Sequence, residues 1–267
     1  MRRPVQLIGI PTDSNSSFLR GAAGAPSHIR AALASRHGNN AAENGLEIGA
    51  DIALLDLGDL VIKETPDDDA VISAAISKAV KGGALPLAIG GDHSITAPIV
   101  QSLAQWHGPL SILHIDAHPD LYDHLDGNAR SHASPFARIL ECGAAKCLLQ
   151  VGIRTANRHQ REQAERFGIV RQISARRVSH SVAPILDGPL YVSIDLDGID
   201  PSAAPGVSHH EPGGLTVRET LDLLDRQTAW LAGADVVELN PSRDINGVTA
   251  VLAAKLVREL AAMAGAG

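Results

Sequence analysis

The sequence has little to offer a nucleic acid or a membrane. Aromatic residues make up 3% of its 267 positions, too few to supply stacking platforms for single strands. Basic residues are outnumbered 23 to 30, leaving a formal charge of −7. That balance gives no basic stripe to grip phosphates, so no nucleic-acid partner is expected. No stretch reaches the roughly 18 apolar residues a membrane span needs. The opening MRRPVQLIGIPT carries an apolar run too short for the core of a secretion signal. Only two cysteines occur, Cys142 and Cys147, which is no disulfide framework. Reduced thiols and no leader signal together predict a cytoplasmic protein.

What is present is regular. Short apolar runs at 5–10, 52–57, 85–89, 110–115, 147–151, 168–170, 190–194 and 234–237 read as strands. Between several of them lie segments with apolar spacing of three and four, at 70–80, 216–224 and 248–263. Alternation of this kind predicts βαβ units, hence an α/β fold with a mostly parallel sheet and helices on both faces. The polar segment 37–49 reads as a surface loop, and the acids of 65–69 suit the start of the next helix. Nothing breaks the pattern strongly enough to mark a boundary, so 1–267 is expected to be one domain.

Chemistry gathers where strands end. The run 110–115 leads into DAHPDLY, which delivers Asp116, His118 and Asp120 at alternate positions. In extended backbone those side chains share one face. The run 85–89 is followed by GGDHS, with Asp92 and His93. The run 190–194 is followed by DLDGIDP, with Asp195, Asp197 and Asp200, and 234–237 is followed by Glu238. In open α/β sheets the carboxyl edge of the strands is where ligands bind.

Asp116, Asp120, Asp195 and Asp197 contribute four negative charges, and His93 and His118 two neutral nitrogens. Packed together they would be costly to desolvate without cations among them. Two divalent cations balance the set; one leaves it strongly negative. The first aspartate of each alternating pair is best placed to bridge. Carboxylate and imidazole without thiolate suit manganese, with nickel, cobalt, iron or zinc also chemically possible. A cation pair roughly 3.5–4 Å apart lowers the pKa of a bridging water and supplies hydroxide for hydrolysis. Asp92 and Asp200 fall outside the alternation and read as supporting acids.

The segments GGDHS, DAHPDLY and SIDLDGIDP resemble the three signature motifs of the ureohydrolases, the arginase and agmatinase family. NSSFLRGAAGAP, GNARSHASPFARILE, LLQVGIR, PGVSHHEPGGL, GADVVELNP and TAVLAAKLVREL resemble the plant-type arginase branch. The resemblance covers the whole chain. It implies a three-layer α/β/α fold with a roughly eight-stranded sheet, two Mn²⁺ per subunit (Ni²⁺ or Co²⁺ possible), and assembly as a homotrimer or homohexamer. It implies that His93, Asp116, Asp120 and Asp195 hold one metal, and Asp116, His118, Asp195 and Asp197 the other. Glu238 would clamp the planar guanidinium of a small guanidino substrate through paired hydrogen bonds, and His132 would pass a proton to the departing amine. Segments 122–131 and 154–160 are expected at the pocket mouth, with Asn128, Ser131, Asn157 and His209 as candidate contacts to the rest of the substrate. The implied reaction is arginine to ornithine and urea. Agmatine, guanidinobutyrate or guanidine are alternative substrates, and a non-catalytic metal-binding subunit is the rival from another class.

Overall fold

The computed structural model describes residues 2–36, 38–178 and 184–264. Eight strands form one sheet: β1 (Val5–Ile10), β2 (Leu54–Asp59), β3 (Leu85–Gly90), β4 (Leu110–Ile115), β5 (Ala145–Ile153), β6 (Val170–Ser174), β7 (Leu190–Asp195) and β8 (Leu231–Val237). Their order is β2-β1-β3-β8-β7-β4-β5-β6, and every pairing is parallel. The expected α/β/α architecture is therefore present.

Alternation along the strands builds two cores, one on each face. Leu85, Leu87, Leu113, Ile115, Val192, Ile194 and Val236 pack on one side with α1 (Ala25–Leu33), α6 (Val217–Asp225) and α7 (Val248–Met263). Ile8, Ala88, Ile112, Tyr191 and Val237 pack on the other with α2 (Asp68–Lys81), α3 (Thr96–His107) and α4 (Pro135–Glu141). Helix α5 (Arg158–Phe167) adds Ala164 and Phe167 to that second side. The four central strands β3, β8, β7 and β4 are buried at every position, as expected for parallel strands covered on both faces. Among the described residues no helix is long and apolar enough to cross a membrane.

Several boundaries differ from the sequence reading for local reasons. The run 168–170 begins with Gly168, which caps α5 in the left-handed region at φ 71°, so strand pairing starts at Val170. The run 52–57 shifts forward: Ile52 makes only an isolated bridge with Ile48, while Leu54 begins the ladder with Val5. Strand β8 starts three residues early, at Leu231, through small residues that carry little strand signal. Helix α2 opens within the expected acid cluster, and Asp68 accepts the backbone N–H groups of Lys63 and Thr65. Thr216 and Glu219 form a reciprocal cap on α6. Of the segment 37–49, His37 lies outside the described residues.

Candidate metal centre

The four central strands end side by side, and each brings its acid or imidazole to the same edge. Two glycines allow this crowding. A Cβ on Gly91 would lie 1.7 Å from the Thr12 carbonyl oxygen, and one on Gly198 would lie 2.7 Å from the Asp116 nitrogen. No side chain fits at either point. Asp120 (φ 51°) and Glu238 (φ 66°) occupy the left-handed region although neither is glycine. Such strain persists where the surroundings over-determine the backbone.

His93 is fully buried. Its Nδ1 lies 3.3 Å from Asp116 Oδ2, 3.0 Å from Asp120 Oδ2 and 3.2 Å from Asp195 Oδ2, yet makes no hydrogen bond. On the far side of the ring, Nε2 is 2.9 Å from Ser193 Oγ, and that hydroxyl donates at 2.6 Å to Asp235 Oδ1. Asp235 also accepts the hydroxyls of Thr96 and Tyr191, each at 2.6 Å. With Ser193 Oγ–H committed to Asp235, Nε2 is the protonated nitrogen and Nδ1 presents its lone pair to three carboxylates. An orphaned buried acceptor facing three carboxylates fits a divalent cation.

A second group adjoins the first. His118 Nδ1 lies 3.4 Å from Asp116 Oδ1 and 3.1 Å from Asp197 Oδ2. His93, Asp116, Asp120 and Asp195 could therefore hold one ion, and Asp116, His118 and Asp197 another. Asp116 belongs to both groups. Asp195 reaches the first group through Oδ2, while its Oδ1 accepts the Asp197 N–H at 2.8 Å.

The electrostatics also call for positive charge. Burial alone would depress both imidazoles, but the surrounding carboxylates outweigh it and hold His93 and His118 well above the ordinary histidine range. Burial, then the neighbouring Asp197 and Asp116, pushes Asp195 far up. Asp197 is raised to about 6, chiefly by burial. A set of acids that resists joint ionisation is relieved by a cation in their midst.

Above this cluster opens a cavity of about 200 Å³. His118, Asp120, Asp195, Asp197, His132, Glu238, Asn157 and His209 all line it, together with Tyr122, Leu125 and Thr155. Segments 122–131 and 154–160 thus contribute to its mouth, as expected. His132 Nδ1 lies 2.9 Å from Glu238 Oε1, which also accepts the His93 N–H at 2.9 Å. Burial opposes a charged imidazole, yet the Glu238 carboxylate lifts His132 to about 9.

Two of the candidate substrate contacts lie apart from the others. Asn128 and Ser131 do not line the cavity. Asn128 is spent on structure, donating to Asn15 Oδ1 and accepting the Arg130 N–H. Ser131 accepts the Ala133 N–H and faces a separate, smaller cavity beside Arg130 and Arg138. Asp92 and Asp200 are supporting acids: Asp92 accepts the Asn15 and Ser94 N–H groups, and Asp200 those of Ser202, Gly213 and Gly214.

Sequence reasoning passed over His114, Ser193 and Asp235. His114 Nε2 donates to Asp116 Oδ2 at 2.7 Å, while its Nδ1 accepts from Gln150. The signal was available, since His114 and Ser193 precede Asp116 and Asp195 by two and share their faces.

An all-parallel sheet with two adjoining carboxylate–imidazole groups at the carboxyl edge of its central strands defines a class, the α/β proteins built to hold divalent cations beneath a substrate cavity. A model of the arginase family matches residues 3–263. The chain is 48% identical to "Arginase 1, mitochondrial" of Arabidopsis thaliana over 96% of its own length and 80% of that protein's. To "Agmatinase, mitochondrial" of Gallus gallus it is 33% identical, over 97% of this chain and 83% of that protein. Among solved structures, the arginase from Medicago truncatula superposes with a TM-score of 0.93 at 43% identity, covering 98% of this chain and 87% of that one. Proclavaminate amidino hydrolase from Streptomyces clavuligerus gives 0.89 at 29% identity, over 100% and 93%. The protein belongs to the arginase family, and its likeness to plant arginases bears out the branch read from its motifs.

The cytoplasmic expectation is contradicted. Several plant relatives are named mitochondrial or, for the second Arabidopsis arginase, chloroplastic/mitochondrial. Unpaired thiols suit any reducing compartment and a short apolar run does not specify one, so the physical basis for that expectation was weak.

Proposed function

We propose that this protein is an arginase, an amidinohydrolase that splits the guanidino group of L-arginine to give L-ornithine and urea. One observation carries the substrate class: among the described residues the cavity is lined by Asp120, Asp195, Asp197 and Glu238, and by no lysine or arginine. With Asp120, Asp195 and Asp197 given to the cations, Glu238 is the lining carboxylate left to meet an entering guanidinium. The choice of arginine is supported by the plant arginases, 43–48% identical over 96% of the chain.

His93, Asp116, Asp120 and Asp195 would hold one cation, and Asp116, His118 and Asp197, with Asp195 as a further bridge, the other. Manganese is the first choice for this donor set and nickel or cobalt the next. When bound, such a pair supplies Lewis acidity and a water activated for attack. The chain's own residues do the rest. Glu238 already takes two hydrogen bonds on Oε1, and among the described residues nothing donates to Oε2, which leaves it for the guanidinium. His132, held protonated at neutral pH by Glu238, gives its proton to the departing amine as the C–N bond breaks. Deep burial of Asp116 and His93 keeps bulk water from the base of the cavity. An exposed apolar stripe of Ile245, Val248 and Val251, leading into the first turn of α7, supports self-association as a homotrimer or homohexamer.

A second reading, agmatine as substrate, is favoured by the absence, among the described residues, of any lining lysine or arginine to meet an α-carboxylate. Urea release from arginine, agmatine, guanidinobutyrate and guanidine, after loading with manganese and separately nickel, decides. Arginine is expected to give the highest kcat/KM. Preference for agmatine would replace the substrate, and no urea from any of the four would make this a non-catalytic metal-binding subunit. His132→Ala is expected to keep its metals and lose turnover by about 10²- to 10⁴-fold; full turnover would remove the proton role from His132.

A further inference from the structure

His132 has two ring nitrogens, and only one of them faces Glu238. Nδ1 does so; Nε2 lies 2.8 Å from the hydroxyl of Ser17. Ser17 is itself exposed and lines the cavity. A buried imidazole is thus connected to the open side of the cavity through one hydroxyl, which can accept a proton on one lone pair while releasing its own.

The segment carrying Ser17 is fixed by an unusual concentration of contacts on Asn15. The Asn15 N–H donates to Asp92 Oδ2 at 2.9 Å, its carbonyl accepts the His132 N–H at 3.1 Å, and its side chain bonds Ser94 Oγ and the Asn128 amide, each at 3.1 Å. One residue therefore ties together the loops that follow β1, β3 and β4. The same latch that sets the His132 backbone sets Ser17 against its ring. Asn128 is part of this latch.

We infer that Ser17 is the outer link of a proton relay, Ser17–His132, that exchanges protons between the reacting nitrogen and bulk water, with Asn15 as its positioning residue. The inference rests on His132 acting as the proton donor. One guanidinium and one water give one alkylammonium and one urea, so the overall reaction conserves protons. Within a turnover the attacking water must nevertheless lose a proton and the departing amine must gain one. When His132 has given its Nε2 proton to the amine nitrogen, Ser17 Oγ–H passes its proton to the vacated Nε2 and takes one from bulk solvent, which receives the proton lost by the attacking water, so that Ser17 ends as it began. No redox change and no covalent intermediate on serine is involved.

The test is buffer dependence in the manganese-loaded enzyme. Ser17→Ala is expected to lower kcat by about tenfold, a fraction of what general acid catalysis supplies, with KM and bound manganese unchanged. A small buffer acid such as imidazolium should restore kcat in Ser17→Ala as its concentration rises, while the parent enzyme stays insensitive. Ser17→Thr, which keeps the hydroxyl, should retain most of the parent kcat. A structural defect would not respond to buffer. Full kcat in Ser17→Ala, or a loss that neither buffer nor threonine repairs, would overturn the relay. His132→Ala in the same assay separates the two ideas. If that variant turns over normally, the proton role of His132 itself has failed; if it is dead while Ser17→Ala is unimpaired, only the relay has.

Discussion

The two halves of the candidate metal centre are held to very different standards. The inner group centres on His93, whose side chain is 0% exposed, with Asp116 at 0%, Asp195 at 4% and Asp120 at 8%. Behind it stands Asp235, fully buried and taking three hydroxyl hydrogen bonds, one of them from the serine that orients His93. The outer group centres on His118, whose side chain is 24% exposed and whose far nitrogen has, among the described residues, only Glu211 at 3.7 Å, itself 37% exposed. Both groups offer similar atoms. They differ in what immobilises the imidazole, and outer partners of this kind govern how tightly an ion is held. The inner ion should therefore be the retained one and the outer ion the exchangeable one.

Three substitutions sharpen or break that contrast. Asp116 is common to both groups, so Asp116→Ala should lose both ions together, and with them several kcal/mol of transition-state stabilisation, about 10³-fold or more in turnover. Metal content by mass spectrometry checks it; retention of one full equivalent would show that Asp116 does not join the groups. Next in size, Asp235→Asn puts an amide where three hydroxyls expect an acceptor, and should weaken the inner ion about 10- to 100-fold. Titration with manganese should show that step moving while the outer one stays. Equal weakening of both would erase the distinction between inner and outer ions.

The smallest effect concerns the loop behind the outer group. Asp200 is held down to about 2 by the Ser202 hydroxyl and by the N–H groups of Ser202, Gly213 and Gly214. A carboxyl whose folded pKa lies below its unfolded value adds stability above the unfolded value, near 4. That contribution fades as pH falls from about 4 to about 2. Asp200→Asn should thus lower Tm by a few degrees at pH 7, and the gap from the parent should close on acidification. A gap that stayed constant to pH 2 would mean that the aspartate charge is irrelevant to the loop.

Much of the centre is legible in the amino-acid sequence because its acids and imidazoles follow at once on apolar strands, Asp116, His118 and Asp120 after β4 and Asp195 and Asp197 at the end of β7. Their convergence is made by the backbone beyond the strands, left-handed at Asp120 and a short 3-10 turn at Asp197. The contacts that escape such reasoning are those joining distant parts of the chain. Ser193 and Asp235 are far apart in sequence and meet only because β7 and β8 pair with Ser193 opposite Asp235, a register no local pattern reveals. Asn128 and Ser131 lie off the cavity for the opposite reason. They sit in a loop, where no periodicity fixes the direction of a side chain. Strand edges suffered similarly at β6 and β8, where glycine and alanine carry little signal.

The left-handed backbone at Asp120 and Glu238 bears on how such a centre could change over time. Both positions would be more comfortable as glycine or asparagine, so the cheapest mutations for the backbone are ones that discard a carboxylate. A lineage drifting without selection on catalysis would be drawn toward a sturdier, inert protein.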